Sequence, residues 1–373
     1  MRAKINNLKS GDFILLVATL VLVVFGIIMV FSASYYQSIN EDGTPYAYLI
    51  RELIWAIAGL AGMLIMAVVD YRRYKNFAPY ILGISFILLV LLMIPGVGTE
   101  INYAVRWITI GPITIMPGEI AKPAMILFVA WFLGDKPERI HNFVKGILPL
   151  FAICGAFCFM IIKQPNLSTA ITLAGIVFLM MYVAGMNWKL FVGTIGAGIA
   201  GVMGIIIMNP DSHWASRFTS FLDPFADPLG EGFQVVQSLM ALGSGGLFGL
   251  GLGKSIQKNL YLPEPQNDFI LAIIGEELGF IGVLCLIAVY LVFIWRGVHI
   301  ALNAPDHFSM LLASGIVIMV ALQVVLNIAV VTSSMPATGV ILPFVSYGGN
   351  ALLIFMGSAG VLLNISRHVA KVD

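Results

Sequence analysis

Charge is scarce in this sequence. Only 10% of its 373 residues are Asp, Glu, Lys or Arg, against about 25% in soluble globular proteins. So few charges cannot cover the surface of a water-soluble globule of this length, which excludes that class. The net charge of +1 leaves no basic field for nucleic acid. Cysteine is sparse too: Cys154 and Cys158 lie in one apolar run and Cys285 in another. Their number excludes a disulfide scaffold, and they read as small buried hydrophobes. Histidines at 141, 213, 299, 307 and 368 have no metal-site spacing. The glycine-rich stretch 243–253 lacks the Lys-Ser/Thr ending of a nucleotide phosphate loop. No internal repeat and no separate soluble region is visible, so 1–373 reads as one domain.

What is present in excess is hydrophobicity. Apolar residues make up 60% of the chain and the mean hydropathy is +0.97. A helix crosses a bilayer with about 20 apolar residues. Runs of that kind occupy 13–34, 49–69, 78–95, 119–134, 146–162, 168–185, 190–208, 269–295, 308–332 and 348–365. The expected fold is therefore an all-α polytopic membrane protein of ten transmembrane helices. The basic stretch before the first run resembles the start of a signal peptide. That run is too long and has no small-residue cleavage site, so it reads as a span.

Lys and Arg concentrate in cytoplasmic loops. With the N-terminus inside, Arg2, Lys4, Lys9, Arg72, Arg73, Lys75, Lys136, Arg139, Lys145, Lys189, Arg296, Arg367 and Lys371 are all cytoplasmic. Both termini are then cytoplasmic, and the long segment 209–268, between helices 7 and 8, is extracytoplasmic. Its interleaved Gly, Leu and Phe predict irregular backbone and short amphipathic helices at the membrane surface.

Ionisable residues near a bilayer are costly and point to function. Asp268 stands where the long outer segment meets the eighth span, in Tyr261-Leu262-Pro263-Glu264-Pro265-Gln266-Asn267-Asp268-Phe269. It reads either as a helix N-cap or as a reactive carboxylate. Glu276 and Glu277 follow inside the span. Glu119 and Lys122 share one helical face and can pair; alternatively Lys122, with Arg106 as a bidentate fork and Lys163 nearby, offers cations to phosphate. Ser346, in Ser346-Tyr347-Gly348-Gly349, lacks a His partner and reads as part of a tight turn against the same cavity. Together these segments predict a site for an anionic, membrane-held ligand.

The same segments strongly resemble the SEDS family (shape, elongation, division and sporulation) along essentially the whole chain. The resemblance rests on Arg106-Trp107-Ile108, Pro117-Gly118-Glu119-Ile120-Ala121-Lys122 and Gln164-Pro165-Asn166-Leu167-Ser168-Thr169-Ala170. It continues through Asp227-Pro228, Gly232-Phe233-Gln234, Gln237-Ser238-Leu239, Gly249-Leu250-Gly251-Leu252-Gly253, Asp268-Phe269, Gly275-Glu276-Glu277-Leu278-Gly279 and Leu342-Pro343-Phe344-Val345-Ser346-Tyr347-Gly348-Gly349. The chain looks nearer the FtsW and SpoVE members than RodA. It departs from the family pattern at Gln266-Asn267 (often His-Thr), Asn166 (usually Asp), Ser168 (Gly), Asn350-Ala351 (Ser-Ser) and Met116-Pro117-Gly118 (Gln-Pro-Ser).

The resemblance implies an inverting glycosyltransferase that polymerises lipid II, the undecaprenyl-pyrophosphate-linked disaccharide-pentapeptide, at the outer leaflet of the bacterial cytoplasmic membrane. It implies Asp268 as the catalytic residue, with Glu119, Lys122 and Arg106 beside it. It also implies a divalent cation (Mg or Mn, with Asp268 and Glu119 as ligands), a class B penicillin-binding protein transpeptidase as partner, and other divisome proteins. The alternatives are a lipid II flippase, which places its charges near the midplane, and a non-catalytic divisome scaffold.

Overall fold

The computed structural model describes residues 11–101, 104–111, 113–209, 213–230 and 232–369. Arg2, Lys4, Lys9 and Lys371 lie outside the described residues. The helices are α1 (Phe13–Asp42), α2 (Ala47–Val68), α3 (Arg72–Leu91), α4 (Pro117–Gly134), α5 (Leu148–Lys163) and α6 (Leu167–Val183). After them come α7 (Trp188–Met208), α8 (His213–Leu222), α9 (Phe233–Gly245), α10 (Ile270–Leu302), α11 (His307–Val331) and α12 (Gly349–Ser366). Each apolar run of the sequence falls on a helix. Among the described residues, seven spans are long and apolar enough to cross a membrane: α1, α2, α3, α5 with the turn before it, α10, α11 and α12. The exposed surface of these helices is itself apolar, including Ile54, Ile57, Ile84, Ile87 and Leu291, as lipid solvation requires.

Local chemistry sets the helix ends. Asp12 caps α1, accepting from the Leu15 N–H, and Gly43 closes it in the left-handed region. Asp306 and Ser309 form a reciprocal capping box on α11. Asn166 caps α6 through the Thr169 N–H, a task that Asn performs as well as Asp. Close crossings use small residues: a Cβ on Gly360 of α12 would lie 2.3 Å from the Met63 carbonyl of α2.

Three expectations need correction. The fold is not purely helical, because 99–115 forms an antiparallel meander of β1 (Thr99–Ile101), β2 (Ala104–Ile110) and β3 (Ile113–Ile115). Gly111, with φ 62°, makes the turn between β2 and β3. Cys285 is exposed rather than buried. The eighth run is not one continuous helix either, since α10 is broken at Gly279 (φ 70°, ψ −173°), a conformation open essentially to glycine alone.

The break is filled by the glycine-rich strap that follows α9. The Leu250 and Gly251 N–H groups donate to the Glu276 and Glu277 carbonyls, at 2.9 Å each. In return the Phe280 and Ile281 N–H groups donate to the Gly246 and Leu247 carbonyls, at 2.9 and 3.1 Å. Four backbone groups flanking the break are thereby satisfied, as irregular backbone at membrane depth requires.

Helices α1 and α10 are joined at two levels. Arg296 pairs with Asp12, its Nε donating at 2.9 Å. The Ser32 hydroxyl donates to Glu277 at 2.7 Å. Ser32 is twenty residues beyond Asp12, so the two joints are about 30 Å apart at 1.5 Å per residue, the thickness of a hydrocarbon core. Asp12 also ties the two ends of the chain together: its N–H donates to Ser366 Oγ at 2.9 Å. Both described ends of the chain therefore lie on one side.

Candidate active site

Asp268 immediately precedes α10, yet does not cap it. The capping position is held by Phe269, without a side-chain hydrogen bond. No side chain among the described residues forms an ion pair with the Asp268 carboxylate, so the helix leaves its oxygens available. Its surroundings are built by three long-range contacts. Asn327 of α11 donates through Nδ2 to both the Asp268 and Val340 carbonyls, at 2.7 Å each. The Tyr347 N–H donates to the Gln266 carbonyl at 2.9 Å. A Cβ on Gly339 would lie 3.5 Å from Asp268 Oδ2, so the 337–340 segment walls the carboxylate.

Burial raises the Asp268 pKa to about 6, with Glu264 adding to the rise and Arg217 opposing it. Glu264 is half-buried and accepts from Gln266 Nε2 (3.0 Å) and Asn267 Nδ2 (2.8 Å). Around this loop, Gln266 Oε1, Asn267 Oδ1, Asn327 Oδ1 and Thr338 Oγ1 are buried without a hydrogen-bond partner among the described residues. Buried polar atoms are rarely left so, and four of them gather around the Asp268 loop.

The remaining residues singled out in the sequence divide into groups. Arg106, on β2, donates through Nε to the Gln164 carbonyl at 3.2 Å and through Nη2 to the Pro165 carbonyl. Burial and the charge of Arg217 lower its pKa. Glu119 and Lys122 form the salt bridge anticipated for them, at 2.6 Å. Lys122 also donates to Gln323 Oε1 at 3.2 Å and is only 2% exposed. Its charge is thus shared inside the bundle with Glu119 and Gln323.

Glu276 and Glu277 fold the strap onto α10. Glu276 accepts from the Ser255 hydroxyl and from the Ile256 N–H at 2.9 Å. Glu277 accepts from Lys258 Nζ at 2.8 Å as well as from Ser32. Lys258, which sequence position alone puts in an exposed loop, is 3% exposed. Ser346 is buried in its turn, accepting from the Leu342 N–H at 2.8 Å. Lys163 is exposed over the Phe159 ring, 5.6 Å from its centroid.

Several participants were not singled out in the sequence: Asn327, Gln323, Thr338 and Arg217. Gln323 and Asn327 carry a usable signal, being four residues apart on one face of an otherwise apolar span. Glu52 also escaped; it is buried in α2 beside the 346–349 turn, with Oε2 unpartnered.

Glu119 is paired with Lys122. No group of three or more His, Cys, Asp and Glu gathers among the described residues, so these side chains form no ready-made cage for a divalent ion; Mg is usually held by one or two carboxylates together with a ligand's phosphates.

Known proteins share this architecture. Stage V sporulation protein E of Bacillus subtilis (strain 168) is 43% identical over 359 residues, covering 96% of this chain and 98% of that protein. The probable peptidoglycan glycosyltransferase FtsW of Geobacter sp. (strain M18) is 38% identical over 366 residues, covering 98% and 99%. Among solved structures, one chain comes from a structure described as showing structural coordination of polymerization and crosslinking by a peptidoglycan synthase complex. It matches with a TM-score of 0.80 at 28% identity over 96% of this chain and 98% of that one. The rod shape determining protein RodA of Thermus thermophilus matches with a TM-score of 0.71 at 26% identity, covering 97% and 98%. The sequence pattern of the FtsW/RodA/SpoVE family, described as cell cycle protein, matches residues 13–371. The chain belongs to that family.

Proposed function

We propose that this protein is a peptidoglycan glycosyltransferase that polymerises lipid II at the outer leaflet of the bacterial cytoplasmic membrane, for division or sporulation. Relatives that match it end to end carry the name peptidoglycan glycosyltransferase. The observation that carries the reading is Asp268: a carboxylate unspent by the fold, with its pKa raised to about 6 and with Arg217 and Glu264 in its field.

The reaction joins the 4-hydroxyl of one lipid-linked sugar to the anomeric carbon of another. An α-linked donor gives a β-linked product, so the displacement inverts and needs a base opposite the leaving group. Asp268 takes the acceptor's hydroxyl proton as the new C–O bond forms. The anomeric C–O bond breaks, and its electron pair leaves on the lipid diphosphate, where Arg106 stabilises the developing charge. The unpartnered oxygens around Asp268 receive sugar hydroxyls. A Mg or Mn ion held by Asp268 or Glu119 together with the diphosphate would add to the neutralisation of its charge.

Ten spans, cytoplasmic termini and an extracytoplasmic 209–268 segment complete the proposal, with a single membrane domain over 1–373. A class B penicillin-binding protein crosslinks the product, alongside other divisome proteins; the matched peptidoglycan synthase complex supports such a pairing. A flippase would want its charges near the midplane, whereas the buried ionisable groups here gather within two turns of the helix ends.

The test supplies lipid II to the purified protein, alone and with its transpeptidase, and resolves products on a gel. Wild type makes glycan strands. Asp268→Asn folds and inserts, yet loses about 10²–10⁴-fold in rate, as removal of a positioned base does. Wild-type rates from that variant reject the assignment, and a wild type that makes no strands leaves the scaffold reading.

A further inference from the structure

We propose that Glu52 is a positioning residue for the reaction: its carboxyl group caps the N-terminus of α12 from the neighbouring α2, and so holds the turn to which both the Asp268 loop and the meander carrying Arg106 are tied.

Helix α12 has no cap of its own. Gly348 holds the capping position without a side-chain hydrogen bond, whereas the first N–H groups of a helix have no partner within it. Helix α2 packs against that end. Tyr48, Glu52 and Trp55 are spaced by four and then three residues, so they share one side of α2. The outer two both touch the turn. The Tyr48 and Tyr347 rings lie 4.9 Å apart between centroids, and a Cβ on Gly349 would run into the Trp55 ring. Glu52, between them, is 1% exposed, and its carboxylate faces the Gly348 N–H.

Glu52 Oε2 has no hydrogen-bond partner among the described residues. No cation there forms an ion pair with it, and the adjacent Arg51 is turned to Asp42. A carboxyl group so placed in a membrane helix is costly, and the compensation at hand is the positive end of α12.

The turn branches to both halves of the site. The Tyr347 N–H donates to the Gln266 carbonyl at 2.9 Å, two residues before Asp268. Asn350 Nδ2 donates to the Thr114 carbonyl at 2.6 Å, on β3, which pairs with the strand β2 that carries Arg106. Gly348, the residue that Glu52 faces, lies between these two anchors. Glu52 therefore acts through the turn. A misplacement of about 1 Å in a reacting group can cost about 100-fold in rate. That the placed base serves glycosyl transfer rests on the reading above; the cap itself rests on the packing of α2 against α12.

The experiment combines amide hydrogen exchange with steady-state kinetics on the purified full-length protein in detergent. Glu52→Gln keeps an oxygen that accepts, and the corresponding pair Asn and Asp cap helices comparably, so this variant should match wild type in both measurements. Glu52→Leu fills the space without an acceptor. Its exchange over 345–350 and 264–268 should rise about tenfold or more, while exchange within α11 stays at the wild-type rate. With lipid II its kcat should fall about tenfold to a hundredfold and its KM stay within about twofold, the pattern of an interaction used in the transition state. Its melting temperature should hold, because an apolar side chain replaces a buried carboxyl group that no cation pairs with. Wild-type exchange and kcat in Glu52→Leu overturn the proposal. So does a lowered melting temperature with kcat unchanged in the folded protein, the mark of a merely structural residue, and so does a Glu52→Gln protein as impaired as Glu52→Leu. Should Glu52→Leu fail to fold, Glu52→Asp, one methylene shorter, decides: wild-type exchange over 345–350 overturns the cap. The exchange readout needs no turnover. A turn whose exchange follows Glu52 in a protein that makes no glycan keeps the cap and rejects the glycosyltransferase reading, whereas glycan synthesis with exchange indifferent to Glu52 does the opposite.

Discussion

Replacing Gly279 by alanine tests whether the broken helix organises the site. Two costs follow from its geometry. The backbone at φ 70°, ψ −173° lies where a side chain costs about 1–3 kcal/mol. The new Cβ would also sit 2.3 Å from the Gly249 N and 2.5 Å from the Leu247 carbonyl oxygen, so the strap must retreat. Retreat endangers the four hydrogen bonds between 246–251 and 276–281, each worth about 1 kcal/mol net. The combined loss is about 3–7 kcal/mol, a large part of the 5–15 kcal/mol that holds a typical protein folded. If the helix instead straightens through 279, the 33 residues of α10 would extend about 50 Å, and Asp268 would be carried away from Asn327. Either way Gly279→Ala should melt well below wild type in detergent and make little glycan. Gly243→Ala is the matched control: it lies inside α9 with open space around its Cβ, and alanine there should be neutral or stabilising by about 0.5–1 kcal/mol. The assay is thermal unfolding followed by size-exclusion chromatography, with lipid II polymerisation on the same samples. A Gly279→Ala protein that melts and polymerises like wild type would refute the reasoning.

Three further outcomes are expected. Asp268 must be ionised to act as base, so kcat/KM should fall about tenfold per pH unit below pH about 6. Glu264→Gln should move that acid limb to lower pH by removing a negative neighbour, and a flat profile between about pH 5 and 8 would reject Asp268 as the titrating base. Because the raised pKa favours the protonated form in the folded state, this residue's contribution to stability is full in acid and is lost as pH rises through about 6. Lys258→Met strands the Glu277 carboxylate and should cost about 3–5 kcal/mol, much of it recovered in a Lys258→Met/Glu277→Leu double variant; equal melting temperatures for all three proteins would sink that. In a background lacking the native cysteines, Lys254→Cys should react with an impermeant thiol reagent on intact cells and Lys145→Cys only after permeabilisation, both positions being exposed; the reverse pattern inverts the topology.

The helices were legible because a run of apolar residues long enough to cross a bilayer has few other uses. The meander was missed although its signal is present: Val105-Arg106-Trp107-Ile108-Thr109-Ile110 is rich in β-branched and aromatic residues, and Gly111 supplies a turn. Helix α3 begins at Arg72, ahead of the apolar run at 78, because a helix extends into polar flanks that hydropathy does not count. Nothing local announces the break at Gly279, where the glycine matters only once the strap, thirty residues earlier, lies against it. The same limit applies to the site. Asp268, Glu119 and Lys122 could be picked out as charges too costly to be incidental, but their partners could not. Whether Lys122 faces a ligand or Glu119, and whether Lys258 faces water or Glu277, depends on contacts among distant segments. Arg217 looked like one more loop cation until the 337–340 segment met it, its Nη1 donating to the Ala337 carbonyl.

The double joint between α1 and α10 has a mechanical consequence. A single helix meets a thicker or thinner bilayer by tilting. Two helices cross-braced at Asp12–Arg296 and again at Ser32–Glu277 form a parallelogram strut whose tilt would have to shear one brace. The mismatch must then be absorbed by the lipid around the strut, not by the protein. Anchored to the Ser32 brace through Glu277, the strap rides at a fixed height above the Asp12 brace, so the distance from the face that holds the described chain ends to the Asp268 loop is set by the chain itself rather than by whichever membrane surrounds it.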